Sequence, residues 1–371
     1  MMIRATPFHA RTAAANRLNR WTARNGFTLA SDFGSAQDEA RAARARVGLI
    51  DISWRWRMWL EGVEATPFLS RLVTREASVL APGGSLKALW LNDGGAVRGA
   101  GVVARFASDK YMIASAGSDP SWFEVAATPF SIAMTDVTDR EGGLALVGPH
   151  AETVLREAGL QMNVAPLGFQ KLFWRGLDVM ISRWGEQSGY EIWCAADDCL
   201  LVWDRLMKAG AAHGIQPAGL DAADILDIEA GVPRPARDYL AANDGFVVEP
   251  SPGSLGLESL IDEQHLTFNG RAAWLANREK VGKTLAGVEI ESETPAPFAV
   301  LRRNGMVVGH TLSSVRSPTL QRAIALAQIE RASAKPGIVL SLAQPLSLGA
   351  TESRDVKATV AELPFITRVA E

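Results

Sequence analysis

Apolar positions recur along this chain at two different periods, and the period changes from one segment to the next. In LIDISWRWRMWLEG (Leu49–Gly62), Trp54, Trp56, Met58 and Leu60 alternate with Arg55, Arg57 and Trp59. That is period two, which predicts a single strand with one apolar face. The segment before it, Ser35–Val47, has helical composition and stops at Gly48. VEATPFLSRLV reads as a helix and APGG as a turn; ALWLNDGGAV reads as strand, turn, strand, with Asn-Asp-Gly-Gly at 92–95 as the hairpin signal. VVARFASDKYMIAS repeats the pattern about a turn at Ser108-Asp109.

Further on, LALVGPHAETVLREAGL predicts a strand, a Gly-Pro turn and a short amphipathic helix. FWRGLDVMISRW and GYEIWC read as strands. Leu200, Leu201, Trp203, Leu206 and Met207 keep helical spacing behind Asp197 or Asp198 as cap. GLDAADILDIEAGVPR predicts another helix, capped by Asp221 and stopped by Gly231 and Pro233. An irregular Pro-, Gly- and Asn-rich stretch runs from Arg234 to Gly256, and a short helix follows at Gly270–Arg278. After Lys283 only short strands and turns remain, with Asn304-Gly305 as a hairpin turn. The fold class is therefore α+β over residues 1–280, then a β-barrel or sandwich over 281–371.

Composition narrows this only a little. Net charge is −3, so no overall field draws the chain to nucleic acid or to a membrane surface. No apolar run reaches the roughly 20 residues of a membrane span. The Arg- and Ala-rich N-terminal stretch is a little like a transit peptide, but its arginines continue to Arg46 inside a helical segment, which reads as a solvated basic face. Cys194 and Cys199 are too few for a disulfide framework or a structural zinc site, and read as reduced core thiols of a cytoplasmic protein. The five histidines are scattered with no ligand spacing, so no metal is expected. Eleven tryptophans fit a large core and also a pocket for a flat ligand.

One residue stands out against its run. Glu191 sits within GYEIWC, among apolar residues, so either it faces water or something buried needs it. Tyr190 alternates with it and points to the opposite face.

The order of short motifs resembles the glycine-cleavage T-protein (aminomethyltransferase) superfamily. TPFH at Thr6–His9, VGLIDIS at Val47–Ser53, LNDGGAV at Leu91–Val97 and LVGPHA at Leu146–Ala151 are similar to family segments. GYEIW, DILDIEAGVP at Asp224–Pro233, FNGRAAW at Phe268–Trp274, SPTLQRAIALA at Ser317–Ala327, AKPG and a final LPF follow in order. The resemblance covers nearly the whole chain. It implies two related α/β subdomains, about 1–140 and 141–280, and a C-terminal β-barrel in a ring-like arrangement around a central pocket that holds tetrahydrofolate. It implies that Glu191 accepts hydrogen bonds from the N–H and amino group of the pterin edge. Trp184 is implied to cover the pterin or the substrate, and Arg183 to meet the glutamate tail.

The chain also departs from the family. Where aminomethyltransferases carry two acids after the hairpin glycines (GGVIDD), this chain has Arg98 and Gly99. Arg98 cannot exchange protons near neutral pH, but it binds a carboxylate in two-point fashion. Asp227 and Trp54 stand where the family has Arg and His, and Pro235-Ala236 where it has Tyr-Gly. RWGEQSGYE resembles the demethylase branch, which moves a methyl group from sulfur or oxygen to tetrahydrofolate. The implied function is demethylation of a small methylated acid, with Arg98, Trp54 and Asp238 as candidate catalytic residues and Trp90 as a pocket wall. Alternatives are a glycine-cleavage aminomethyltransferase, a folate-binding protein without transfer activity, and a divergent enzyme that has lost folate. The expected partners are a small molecule only, with the chain a monomer or homodimer.

Overall fold

The computed structural model describes residues 3–117, 119–185, 189–242, 250–293, 295–345 and 353–366. The N-terminal strands β1 (Arg4–Ala5), β2 (Trp21–Arg24) and β3 (Phe27–Ala30) make a small sheet, with α1 (His9–Ala15) between the first two. Helix α2 (Ala36–Ala45) opens on Ser35, whose hydroxyl accepts from the Asp38 N–H, and it carries Asp38 and Glu39 in its first turn, where carboxylates suit the helix dipole.

The predicted single strand at Leu49–Gly62 is two strands instead. β4 (Val47–Asp51) and β5 (Trp56–Glu61) belong to different sheets. The chain turns between them because Ser53 gives both its N–H and its hydroxyl to the Asp51 carboxylate, at 3.0 and 2.7 Å, and Arg55 N–H closes on Ile52 O at 3.1 Å. No Gly or Pro marks this turn.

Next come α3 (Ala65–Leu72), β6 (Ser85–Leu91), β7 (Val97–Ala107), β8 (Lys110–Ser115), α4 (Pro120–Ala127) and β9 (Ala133–Asp136). Strands β6-β7-β8-β5-β9, in that order, form a five-stranded sheet. β10 (Glu141–Val147), α5 (Ala151–Glu157), β11 (Phe169–Trp174), β12 (Leu177–Ser182), β13 (Gly189–Ala195), α6 (Cys199–Gly210) and β14 (Ile215–Ala218) complete a six-stranded sheet ordered β11-β12-β13-β10-β4-β14. All its pairs are antiparallel except β14 with β4. Its apolar face (Leu49, Leu144, Leu146, Ile181, Ile192 and Tyr190) packs on Val154 and Leu155 of α5 and Val202 and Leu206 of α6. Each such side chain contributes about 1.5–3 kcal/mol when fully buried. Tyr190 lies on this face, as the alternation predicts. Asp198 precedes α6 but makes no side-chain cap bond.

Helix α7 (Leu220–Glu229) begins one residue before Asp221, so Asp221 is a first-turn residue rather than the cap. Gly231 ends the helical run at φ 72°. α8 (Arg271–Asn277) is followed by six barrel strands: β15 (Lys283–Ile290), β16 (Val300–Arg303), β17 (Met306–Ser317), β18 (Arg322–Glu330), β19 (Val339–Pro345) and β20 (Ser353–Ala361). They close in the order β15-β18-β17-β16-β19-β20 around Val288, Leu301, Ala325, Ala327, Leu342 and Ala358.

The chain divides into two compact units: Met1–Leu89 with Gly99–Asp224, and Trp90–Arg98 with Ile225–Glu371. The tip of the β6–β7 hairpin falls in the second unit for a local reason. Asn269 Nδ2 donates to Leu91 O at 2.8 Å, Val97 N–H to Pro250 O at 2.7 Å and Ala242 N–H to Val97 O at 3.0 Å. Among the described residues no helix is long and apolar enough to cross a membrane.

Candidate active site

In the first unit the site is built on the face of the six-stranded sheet opposite the α5–α6 core. Residues directly across a ladder point the same way. Register places Phe169 opposite Ser182, Ser182 opposite Glu191, and Glu191 opposite Ala145, so one row crosses four strands. The next row is Lys171, Met180, Trp193 and Gly143. Gly143 has no side chain because the Trp193 indole lies on it; a Cβ there would stand 2.4 Å from the ring.

Glu191 is 4% exposed. Its Oε1 accepts from Arg55 Nη1, and its Oε2 accepts from Trp193 Nε1 at 3.3 Å. Beside it Arg57 is 2% exposed, donates to Glu141 Oε2 and lies 4.0 Å above the Trp193 ring. Burial pulls the Arg57 guanidinium below its usual range, and the charges of Glu141 and Glu191 oppose that pull. Arg55 and Arg57 escaped the sequence reading, which set them only opposite the apolar face of a strand. The signal was available: an acid inside an apolar strand requires buried donors, and these two arginines follow the DIS turn.

Several polar atoms near this face have no partner among the described residues. They are the buried Ser182 Oγ, Trp184 Nε1, Arg57 Nε and Trp54 Nε1. Trp184 is 4% exposed and meets Phe169 edge to face at 5.8 Å. Arg183 lies 5.5 Å over the Tyr190 ring and donates to Val164 O at 3.4 Å, so its head turns toward the α5–α6 side. Trp54 packs with Phe27, Leu29 and Leu220, under the Arg24 guanidinium at 4.9 Å.

The second unit holds the other candidates. Trp90 is buried at the end of β6 and Arg98 is half-buried at the start of β7. Asp238 is fully engaged: its oxygens accept from Arg234 N–H and Nε at 2.8 Å each and from Nη2 at 3.1 Å. This bidentate pair fixes the irregular segment after α7. Burial, followed by the neighbouring Asp238 charge, pushes the Tyr239 hydroxyl up. Among the described residues no group of His, Cys, Asp and Glu has the makings of a metal site.

Two family models match the chain. The GCVT N-terminal domain covers residues 7–247, and the glycine cleavage T-protein C-terminal barrel domain covers 283–366. The chain belongs to the glycine cleavage T-protein family. That family's one-carbon chemistry runs on tetrahydrofolate. A Bacillus pumilus protein named aminomethyltransferase is 28% identical over 380 residues, covering 99% of this chain and all of that protein. A Thermotoga neapolitana aminomethyltransferase is 29% identical, covering 92% of each. The crystal structure of the glycine cleavage system aminomethyltransferase T from Bartonella henselae shares the fold, with a TM-score of 0.86 over 98% of each chain at 23% identity.

The Glu191 face has hydrogen-bonding positions that are not filled within the chain. A carboxylate offers about four acceptor positions. Glu191 has filled one on each oxygen, which leaves one further acceptor position on each for a two-point donor edge. The orphaned Ser182 hydroxyl stands directly across the ladder from it.

Proposed function

We propose that this T-protein family member is a tetrahydrofolate-dependent methyltransferase that demethylates a small methylated acid, with the methyl group on oxygen or sulfur. The observation that carries the reading is Arg98-Gly99 after the hairpin glycines, where a proton-exchanging acid pair would serve aminomethyl chemistry. A permanent cation there suits the carboxylate of an acid donor.

Bound tetrahydrofolate supplies the ring nitrogen that takes the one-carbon unit. Glu191 accepts from the pterin's adjacent N–H and amino group, and each such charge-assisted bond is worth about 1.5–3 kcal/mol. Arg55 holds that carboxylate in place through its Oε1. Arg98 grips the donor's carboxylate, with Trp90 of the same unit as an apolar wall. Donor carbon and acceptor nitrogen need to be about 3–3.5 Å apart and in line. Asp238 acts through Arg234, by holding the segment after α7 in place. The Trp-x-x-Gln feature that resembles the demethylase branch includes Gln187, which lies outside the described residues.

A second reading, aminomethyl transfer of the glycine-cleavage kind, is favoured by the names of the full-length relatives. One series of measurements separates the two. Anaerobic calorimetry should give tetrahydrofolate binding to wild type and a loss of about 2 kcal/mol or more in Glu191→Ala. A panel of methylated acids should then yield 5-methyl-tetrahydrofolate. Turnover only with an aminomethyl-loaded carrier would favour the second reading, and no binding at all would remove folate from both.

A further inference from the structure

Trp193 stands two residues after Glu191 on β13, so both side chains leave the same face of the strand. Its indole is held on both sides. Gly143 lies beneath it, where a Cβ would stand 2.4, 2.5 and 2.6 Å from three ring carbons. The Arg57 guanidinium lies above it, 4.0 Å from the ring centroid. Trp193 and Arg57 are each 2% exposed.

Arg57 is itself fixed at both ends. On the main chain its N–H donates to Thr138 Oγ1 and Val137 N–H donates to its carbonyl, each at 3.0 Å. At the head, Nη1 donates to Glu141 Oε2 and Nη2 to Met112 Sδ. β5 and β13 belong to different sheets, so the guanidinium ties a ring of one sheet to a strand of the other. A core tryptophan needs only apolar neighbours. A buried cation on its face is costly to desolvate, and the ring quadrupole returns part of that cost.

The placement of the ring settles the direction of one hydrogen bond. Trp193 Nε1 donates to Glu191 Oε2 at 3.3 Å. Arg55 donates to the other oxygen, from a side chain that is 31% exposed. A carboxylate bonded through one oxygen still turns about its terminal torsion, whose minimum is broad. A second donor on the other oxygen, from a ring that cannot turn, fixes the plane. The acceptor positions left over then point in set directions.

We propose that Arg57 is a positioning residue: it clamps the Trp193 indole and, through the Nε1–H, sets the plane in which Glu191 receives the two adjacent donors of the pterin edge. This rests on the tetrahydrofolate reading above. The consequence is selectivity. A carboxylate held in one plane favours a ligand that brings both donors over one that brings a single donor.

The test is anaerobic calorimetry of the full chain with tetrahydrofolate and with its 2-desamino analogue, which lacks the pterin amino group. The readout is the ratio of the two affinities, which a loss of folding stability alone does not move. Wild type should prefer tetrahydrofolate about tenfold or more. Trp193→Phe keeps a ring between Gly143 and Arg57 but removes the N–H, and its ratio should fall to about threefold or less. Arg57→Met should lower the ratio as far, while Arg57→Lys, which keeps a cation over the ring, should retain most of it. With both Arg57→Met and Trp193→Phe the ratio should fall no further than with Trp193→Phe alone, because the arginine acts through the indole. Should Arg57→Met not fold, Gly143→Ala replaces it: the added methyl displaces the ring from its other side, and the same fall is expected. A ratio that survives Trp193→Phe, or losses that multiply in full when combined, overturns the clamp and leaves the folate reading standing. No binding of tetrahydrofolate by wild type overturns both.

Discussion

Arg55 donates through Nη1 to Oε1 of Glu191, joining the turn after β4 to the middle of β13. The two side chains differ in environment: the acid is 5% exposed and the arginine 31%. The carboxylate therefore carries most of the desolvation cost, and the arginine is its compensation. This relationship explains how an acid is tolerated inside an apolar strand before any ligand arrives.

Removing Arg55 should leave that acid short of a partner. Arg55→Met is expected to cost about 1–3 kcal/mol of stability, with the lower end favoured by the arginine's partial exposure. Glu191→Gln added to Arg55→Met should cost much less than the two changes summed. Urea unfolding of the four proteins gives the coupling, expected at about 1 kcal/mol or more. A coupling under about 0.3 kcal/mol would show the pair to be idle.

Asp51 predicts a pH signature. Burial pushes its carboxyl up, against the hydrogen bonds from Thr6 and Ser53 that favour the ionised form. The native chain thus holds this proton to higher pH than the unfolded chain. Stability from Asp51 is fully present below the ordinary carboxylate value, about 3.9, and is lost as pH rises through the raised native one. The difference in unfolding free energy between wild type and Asp51→Asn should therefore fall from about pH 4 toward neutrality. Glu39, also pushed up by burial, is common to both proteins and cancels. A difference that stays flat or rises with pH contradicts the assignment.

Most of the fold was legible because its signals are local. Asn304-Gly305 turns a barrel hairpin with φ of 52° and 81°, and the apolar spacing of Val202 and Leu206 puts α6 on the six-stranded sheet. The break after Asp51 was not legible, because a serine side chain makes the turn by bonding one carboxylate. That break also hid Arg57. Alternation set it opposite the apolar face, yet it is 2% exposed, held by Glu141 and the Trp193 ring. Glu191 was legible as an anomaly of polarity, while its partners depend on a register between distant strands.

The two cysteines should prove unreactive in the native state. Their Sγ atoms are 3.5 Å apart and both residues are buried. The hydrogen bond with Cys194, and then burial, push the Cys199 thiol up, away from the thiolate that reacts. Titration with an aromatic disulfide reagent should find no fast thiol in native protein and two after unfolding in denaturant. Rapid native modification, or a count below two in unfolded protein prepared without reductant, would contradict reduced core thiols.

Gly95 offers a steric prediction in the second unit. It closes the Asn92 turn with its N–H on Asn92 O at 2.9 Å and adopts φ 79°, where a Cβ costs about 1–2 kcal/mol. A side chain there would also stand 2.6 Å from Trp274 N and 2.9 Å from Trp274 Cα, which are backbone atoms of α8 and cannot rotate away. The two penalties act together, because relieving the contact means lifting the hairpin tip off the helix. That movement breaks the bonds from Asn269 to Leu91 and from Val97 to Pro250. Gly95→Ala should therefore lose about 2 kcal/mol or more. Gly282→Ala, in the same unit with nothing within 4 Å of its Cβ position, is the control and should change stability by under about 0.5 kcal/mol. Chemical denaturation followed by tryptophan fluorescence measures both. Equal, small effects would mean that the hairpin tip does not rest on α8.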